Sequence, residues 1–182
     1  LVLGAGLAGS AYAWHAARAG FKVELLSLGE PLRANSDWAQ GGIIYDTTPD
    51  PAALVRDILE ASDGTANPAA IDQLVREGPA AVKDLLLDNL QVDFDRDTAG
   101  RLDLAREGGH TERRIIHAKD ATGHAILAAL APRVDQTPGI TRRSGFAAID
   151  LAHAPRGGVD HDGVVPRALH LVEPGGARPR LQ

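Results

Sequence analysis

The 182-residue chain contains no cysteine and no methionine. Without cysteine it has no disulfide, no thiolate metal site and no cysteine nucleophile. Without methionine it has no initiator residue, and the sequence is expected to be a piece of a longer polypeptide. No apolar run approaches the ~20 residues that a membrane span needs, so no membrane partner is expected. No basic block exists beyond short pairs such as Arg113-Arg114 and Arg142-Arg143. With a net charge of −5 and a pI near 5.8, nucleic acid is not an expected partner either. The seven histidines are scattered, with no His-x-x-x-His pair, so no metal site is expected. What remains is 44% hydrophobic residues, sufficient for a packed core. The length fits one domain, or one domain plus part of another.

The most informative segment stands at the start. Gly4-Ala5-Gly6-Leu7-Ala8-Gly9 follows Leu1-Val2-Leu3, which reads as the tail of a β-strand whose beginning is cut off. In such a pattern the first glycine permits a tight turn. The second lets the backbone approach a pyrophosphate, and the third lets the following helix pack close to the strand. The helix N-terminus then offers N–H groups and a positive dipole to phosphate. Leu7 to Ala19 reads as that helix, with Gly20 as its stop, and Phe21 to Leu26 as the second strand. Strand–turn–helix–strand is the context that the glycine pattern needs. It predicts a dinucleotide site, against the plainer reading of a glycine-rich turn.

The remainder alternates loops with helices. Residues 29–50 read as loop, Pro51 to about Ala61 as a helix, and Asn67-Pro68 as the capped start of another. Ile71, Leu74 and Val75 form one apolar stripe, continued by Val82, Leu85 and Leu86. Gly78-Pro79 between them predicts a kink or a split. Val92-Asp93-Phe94 alternates like a strand, with Leu102 to Leu104 pairing back across the turn Asp97 to Gly100. Arg106 to Arg114 reads as loop and Asp120 to Val134 as a helix. Phe146 to Ala152 and Val164 to Val172 read as strands joined through Gly157 to Gly163. The fold class is therefore α/β: a Rossmann-like dinucleotide-binding domain with a GxGxxG βαβ unit, a parallel sheet with a β-meander, and inserted helices, incomplete in this chain.

Three places carry candidate chemistry. The end of the second strand, where dinucleotide sites usually place a carboxylate for the ribose, is Ser27. Serine can hydrogen-bond a hydroxyl but without charge, and a plain solvent-facing serine is the alternative. The loop Asn35-Ser36-Asp37-Trp38-Ala39-Gln40-Gly41-Gly42 is placed to fold over a cofactor. Gly41 and Gly42 would admit a flat ring or a phosphate close to the backbone, and an ordinary surface loop is the alternative. In the Arg106–Arg114 loop, Glu107 and His110 are a candidate pair, for function or as a loop-stabilising contact. His117 and Asp120 read as structural: a helix-capping aspartate with a histidine nearby.

These segments resemble a known family. GAGLAG, LLSLGEP and NSDWAQGGI are similar to the flavin domain of the succinate dehydrogenase and fumarate reductase flavoproteins. The stretch REGGHTERRIIHAKDATG over 106–123 resembles, more narrowly, the L-aspartate oxidase family. The resemblance is dense over residues 1–45 and 103–126. It implies FAD on Gly4, Ala5, Gly6, Leu7, Ala8 and Gly9, along Ser27 and Leu28, and over Asn35 to Gly42, with the adenine near the strand backbone at Ala147 and Ala148. Covalent flavoproteins of this kind carry a histidine where Asn35 stands, which implies non-covalent FAD. The aspartate oxidases often have a lysine where Leu28 stands, so only a backbone contact is implied there. Glu107 matches the glutamate that orients the substrate through its amino group, a natural partner for a carboxylate, with His110 beside it.

The reaction so implied is oxidation of L-aspartate to iminoaspartate, with electrons passed to oxygen or fumarate. It is the first step of bacterial quinolinate and NAD synthesis, in the cytoplasm, with quinolinate synthase as a further implied partner. The family's proton-transferring arginine lies in a capping domain. Residues 1–182 are expected to be the N-terminal part of the FAD-binding domain, with the capping and C-terminal helical domains absent and the piece alone inactive. A soluble fumarate reductase or succinate dehydrogenase-type flavoprotein is the first alternative. An inactive nucleotide-binding fragment is the second.

Overall fold

The computed structural model describes residues 1–29, 34–48, 51–153 and 166–172. They fall into two compact units, Leu1–Ala34 with Val134–Gln182, and Asn35–Arg133.

In the first unit, β1 (Val2–Leu3), α1 (Leu7–Arg18) and β2 (Val23–Ser27) follow one another as the glycine pattern requires. β1 lies parallel to β2, with Val2 opposite Leu25 and Leu3 opposite Leu26. On its other side β2 pairs in parallel with β6 (Ile140–Ser144), from Val23 opposite Ile140 to Ser27 opposite Ser144. The sheet order is β1-β2-β6. Val23, Leu25 and Leu26 are buried on this central strand, as expected of a parallel strand covered on both faces. Trp14 and Ala13 of α1 are buried with them. Arg18 stacks 4.5 Å over the Trp14 ring, which places a cation at the helix C-terminus where the dipole favours it. β7 (Ala147–His153) and β8 (Pro166–Val172) pair antiparallel, the described part of the expected meander. The turn expected at 157–163 lies outside the described residues, as does Glu30.

In the second unit a short 3-10 turn, Asn35–Trp38, precedes β3 (Ile43–Ile44), α2 (Ala52–Ala61) and α3 (Pro68–Val82). Asn67 caps α3 by accepting the Ala69 N–H at 3.0 Å, and Pro68 occupies the first turn. The helix runs unbroken through Gly78-Pro79. Its irregularity comes later, as a π-helical stretch Lys83–Asn89 in which the Leu90 N–H reaches back to the Leu85 carbonyl. Its buried line is Ile71, Val82, Leu86 and Leu90, whereas Leu74 is 47% exposed, so the expected stripe omits Leu74. β4 (Leu104–Ala105) and β3 flank β5 (Ile115–Ile116), both antiparallel.

Val92 to Phe94 is not a strand. Val92 and Phe94 are buried, but the pairing across the turn is a single bridge between Arg96 and Leu102, and Leu104 pairs with Ile116 instead. α4 (Thr122–Gln136) starts after Asp120 rather than at it. The Ala121 carbonyl takes the first helical bond, and the Thr122 hydroxyl accepts the Ala118 N–H at 3.0 Å. Asp120 is therefore not the cap.

Candidate functional site

The glycine turn is built for close backbone approach. Gly4 has φ +95, a left-handed conformation that side chains resist, and its N–H donates to the Leu26 carbonyl at 2.7 Å. A Cβ on Gly9 would drive into the Gly4 carbonyl oxygen and stand 3.1 Å from its carbon and 3.4 Å from Val2 Cγ1. Helix α1 rests directly on the turn, with the Ser10 hydroxyl donating to the Ala5 carbonyl at 3.2 Å. The helix N-cap is Gly6, which has no side chain to accept a bond, and no acidic residue stands in the first turn. Its leading N–H groups and dipole therefore point at a place where an anion is favoured.

Ser27, which is buried, closes β2. Its hydroxyl donates to the Gly29 carbonyl at 2.7 Å, with Ser144 Oγ at 3.5 Å. The plain solvent-facing reading is thus replaced by a serine whose proton is engaged locally and whose oxygen still accepts. Leu28 is 64% exposed. The Ser27 carbonyl accepts the Phe146 N–H at 3.0 Å, which brings the start of β7, with Ala147 and Ala148, to the end of β2.

In the second unit, residues 35–42 are all exposed or half-buried, with Trp38 76% exposed. The two glycines differ. A Cβ on Gly41 would meet nothing within 4 Å, whereas one on Gly42 would collide with the Ile115 side chain and the Ile116 carbonyl. Gly42 is therefore required by its packing on β5, and Gly41 is the position that stays open for an approaching ring. Asp37, expected as a cofactor contact, has its carboxylate 2.8 Å from His124 Nδ1.

The loop 106–114 is organised by a residue that the sequence motifs did not single out. Arg114 is 2% exposed. Its Nη1 donates to Asp57 Oδ2 at 2.5 Å and faces His110 Nδ1 at 3.3 Å. Its Nε lies 3.1 Å from Asp46 Oδ2 and its Nη2 3.5 Å from Glu112. Asp57 also accepts the Thr111 N–H at 2.8 Å and its hydroxyl at 3.0 Å, while Asp46 accepts the Thr48 N–H and hydroxyl. The Thr111 N–H first, and then the Arg114 guanidinium, hold the Asp57 carboxyl below its ordinary value, against an opposing push from burial. Because a guanidinium only donates, His110 Nδ1 is the acceptor in this contact.

The loop-stabilising alternative, a side-chain contact between Glu107 and His110, is not found. The His110 N–H closes a turn onto the Glu107 carbonyl at 3.2 Å, with Gly109 at φ +81, but the His110 ring faces Arg114. Glu107 is exposed, and no partner of its carboxylate is found among the described residues. His117 is structural, with its Nδ1 3.0 Å from Asp95 and Nε2 3.9 Å from Asp103. Among the described residues no group of three or more His, Asp or Glu is placed to hold a metal ion, and no helix is long and apolar enough to cross a membrane.

The N-terminus of α1, with no capping side chain, and the glycine that seats it fit the phosphates of a dinucleotide. The parallel βαβ unit with this glycine turn defines a dinucleotide-binding α/β domain. The model of the FAD binding domain family matches residues 1–173, and the chain belongs to that family, with FAD as its cofactor. It is 45% identical over 152 residues to the L-aspartate oxidase of Halobacterium salinarum, covering 83% of this chain and 29% of that protein. It is 42% identical to L-aspartate oxidase 1 of Ralstonia nicotianae, covering 82% and 28%. The fold is similar to that of the FrdA chain of E. coli quinol fumarate reductase, with a TM-score of 0.73 at 25% identity over 82% of this chain and 26% of that one. The chain thus spans under a third of the curated relatives that it matches.

Proposed function

We propose that residues 1–182 are the N-terminal part of the FAD-binding domain of an enzyme that oxidises L-aspartate to iminoaspartate. The observation that carries this reading is the loop 106–114: it is braced from below by buried Arg114, and it presents Glu107 with no partner among the described residues. The similarity to curated L-aspartate oxidases over 82–83% of the chain supports it.

In this reading the first turn of α1 binds the pyrophosphate through its N–H groups. Ser27 meets the ribose as an acceptor, since its proton is engaged by Gly29. Bound non-covalently beside Asn35, FAD supplies the acceptor for the hydride that leaves the aspartate α-carbon. Glu107 receives the substrate ammonium and so orients that carbon. Arg114 and Asp57 hold the loop from which Glu107 projects. Electrons pass on to oxygen or fumarate, and the product enters quinolinate and NAD synthesis in the cytoplasm, with quinolinate synthase as its consumer.

The test is made on the full-length polypeptide, by aspartate-dependent peroxide formation. Glu107→Gln is expected to raise KM for aspartate more than KM for fumarate, and equal effects on both would reject the amino-group role. A second reading, a soluble fumarate reductase, is favoured by the likeness to quinol fumarate reductase. Fumarate reduction with no aspartate turnover would establish it in place of the first.

A further inference from the structure

Residues 123 and 124, at the start of α4, act on one short segment in two ways. The Gly123 N–H donates to the Ala39 carbonyl at 2.9 Å. A Cβ on Gly123 would drive into the Ser36 carbonyl oxygen and stand 3.0 Å from both Ala39 Cβ and its carbonyl oxygen. One residue further, His124 Nδ1 lies 2.8 Å from Asp37 Oδ1. A carboxylate only accepts, so Nδ1 carries the proton and donates. Ser36, Asp37 and Ala39 are thus held from one side by the first turn of α4. No residue of 35–42 is buried, so apolar packing does little to order this loop, and directed contacts of this kind must supply that order. A loop ordered before its ligand arrives loses less conformational entropy on binding, and the ligand is held more tightly.

We infer that Gly123 and His124 are positioning residues for FAD, acting through Ser36, Asp37 and Ala39 to fix the loop 35–42. Gly123 is needed because no side chain fits against the Ser36 carbonyl. His124 is needed because it ties down the Asp37 carboxylate. The inference rests on the reading of 35–42 as the FAD loop.

The test uses the full-length polypeptide stripped of FAD and titrated with it, following the quenching of flavin fluorescence and the shape of the visible flavin band. His124→Ala and Asp37→Ala are each expected to weaken FAD binding by about fivefold, the scale of one partly exposed charged hydrogen bond. The double variant should be no weaker than either single one, because both remove the same contact. His124→Gln, which keeps an N–H donor near Asp37, should recover most of the loss and the wild-type band shape. Gly123→Ala should weaken binding by more than tenfold; if that variant does not fold, the His124 and Asp37 series decides alone. Gly41→Leu, which fills the open face without touching the clamp, separates the two readings. If Gly41→Leu weakens FAD binding while His124→Ala and Asp37→Ala leave affinity and band shape unchanged, the clamp is wrong and the loop assignment stands. If Gly41→Leu also changes nothing, the loop assignment fails and the clamp with it.

Discussion

Gly9→Ala sets two opposed effects against each other at one atom. Alanine is a better helix former than glycine by about 1 kcal/mol, and Gly9 lies within α1, so propensity alone favours the substitution. The added Cβ would collide with the Gly4 carbonyl oxygen and crowd its carbon at 3.1 Å. Overpacking costs about 1–3 kcal/mol, and the upper part of that range applies here because the obstacle is backbone rather than a flexible side chain, in a residue whose N–H is tied to the Leu26 carbonyl of β2. The balance is a loss of about 2 kcal/mol, or about 4–8 °C in Tm for a domain of this size. Under the proposed binding of pyrophosphate by the first turn of α1, retreat of the helix also carries its N–H groups away from the phosphates, so FAD affinity should fall with Tm. Gly78→Ala is the control. Gly78 lies inside α3 with nothing beyond its chain neighbours within 4 Å of its Cβ position, but the ring of Pro79 crowds a Cβ on the helical residue before it, so the propensity gain is largely offset and Tm should change by less than about 2 °C. Thermal unfolding of both variants decides the matter. A Gly9→Ala protein that is as stable as wild type, or more so, would refute the steric argument and with it the direct seating of α1 on the turn.

Arg114→Leu leaves Asp46 buried opposite an apolar side chain, and breaking a buried pair in this way costs about 3–5 kcal/mol. Arg114→Lys should recover only part of it, because an ammonium lacks the fork that spans several partners, and denaturant midpoints of the two variants check the order. Because the Asp57 carboxyl is held below its ordinary 3.8 by the Thr111 N–H and Arg114, its contribution to stability is complete above about pH 4 and is lost as pH falls through the lowered folded-state value. Asp57→Asn should therefore flatten the acid limb of a Tm-against-pH curve below about pH 4, and an unchanged limb would reject that role. Asn67→Ala removes the acceptor of the Ala69 N–H and should lower stability by about 1 kcal/mol, measured by urea unfolding.

Much of this was legible from local chemistry. The GAGLAG turn, Gly20 as a helix stop, Asn67 with Pro68, and the two strands of the meander all depend on residues within a few positions of one another, and each is found. β6 was missed because Ile140 to Ser144 carries Arg142 and Arg143, which disguise a parallel strand as a polar segment. β3 and β5 are two residues each, too short for any periodicity. The strand expected at Val92–Phe94 misled because its apolar residues are buried without a ladder partner. Of the kink or split expected at Gly78-Pro79, the split does not occur: Pro79 lies inside α3, where a proline removes one backbone bond without ending the helix.

The sequence by itself determined the glycine turn and the helix that follows it, because these rest on backbone conformations and caps set by single residues, and its motifs carried the resemblance that implied FAD. Only the tertiary structure decided that Gly42 is required by β5 and Gly41 is left open, that the Ser27 proton is taken by Gly29, and that Arg114 gathers Asp46, Asp57 and His110 from separate segments. The physical reason is range. A left-handed glycine or an asparagine cap acts on its immediate neighbours, whereas a buried guanidinium takes its meaning from the carboxylates that the fold brings to it.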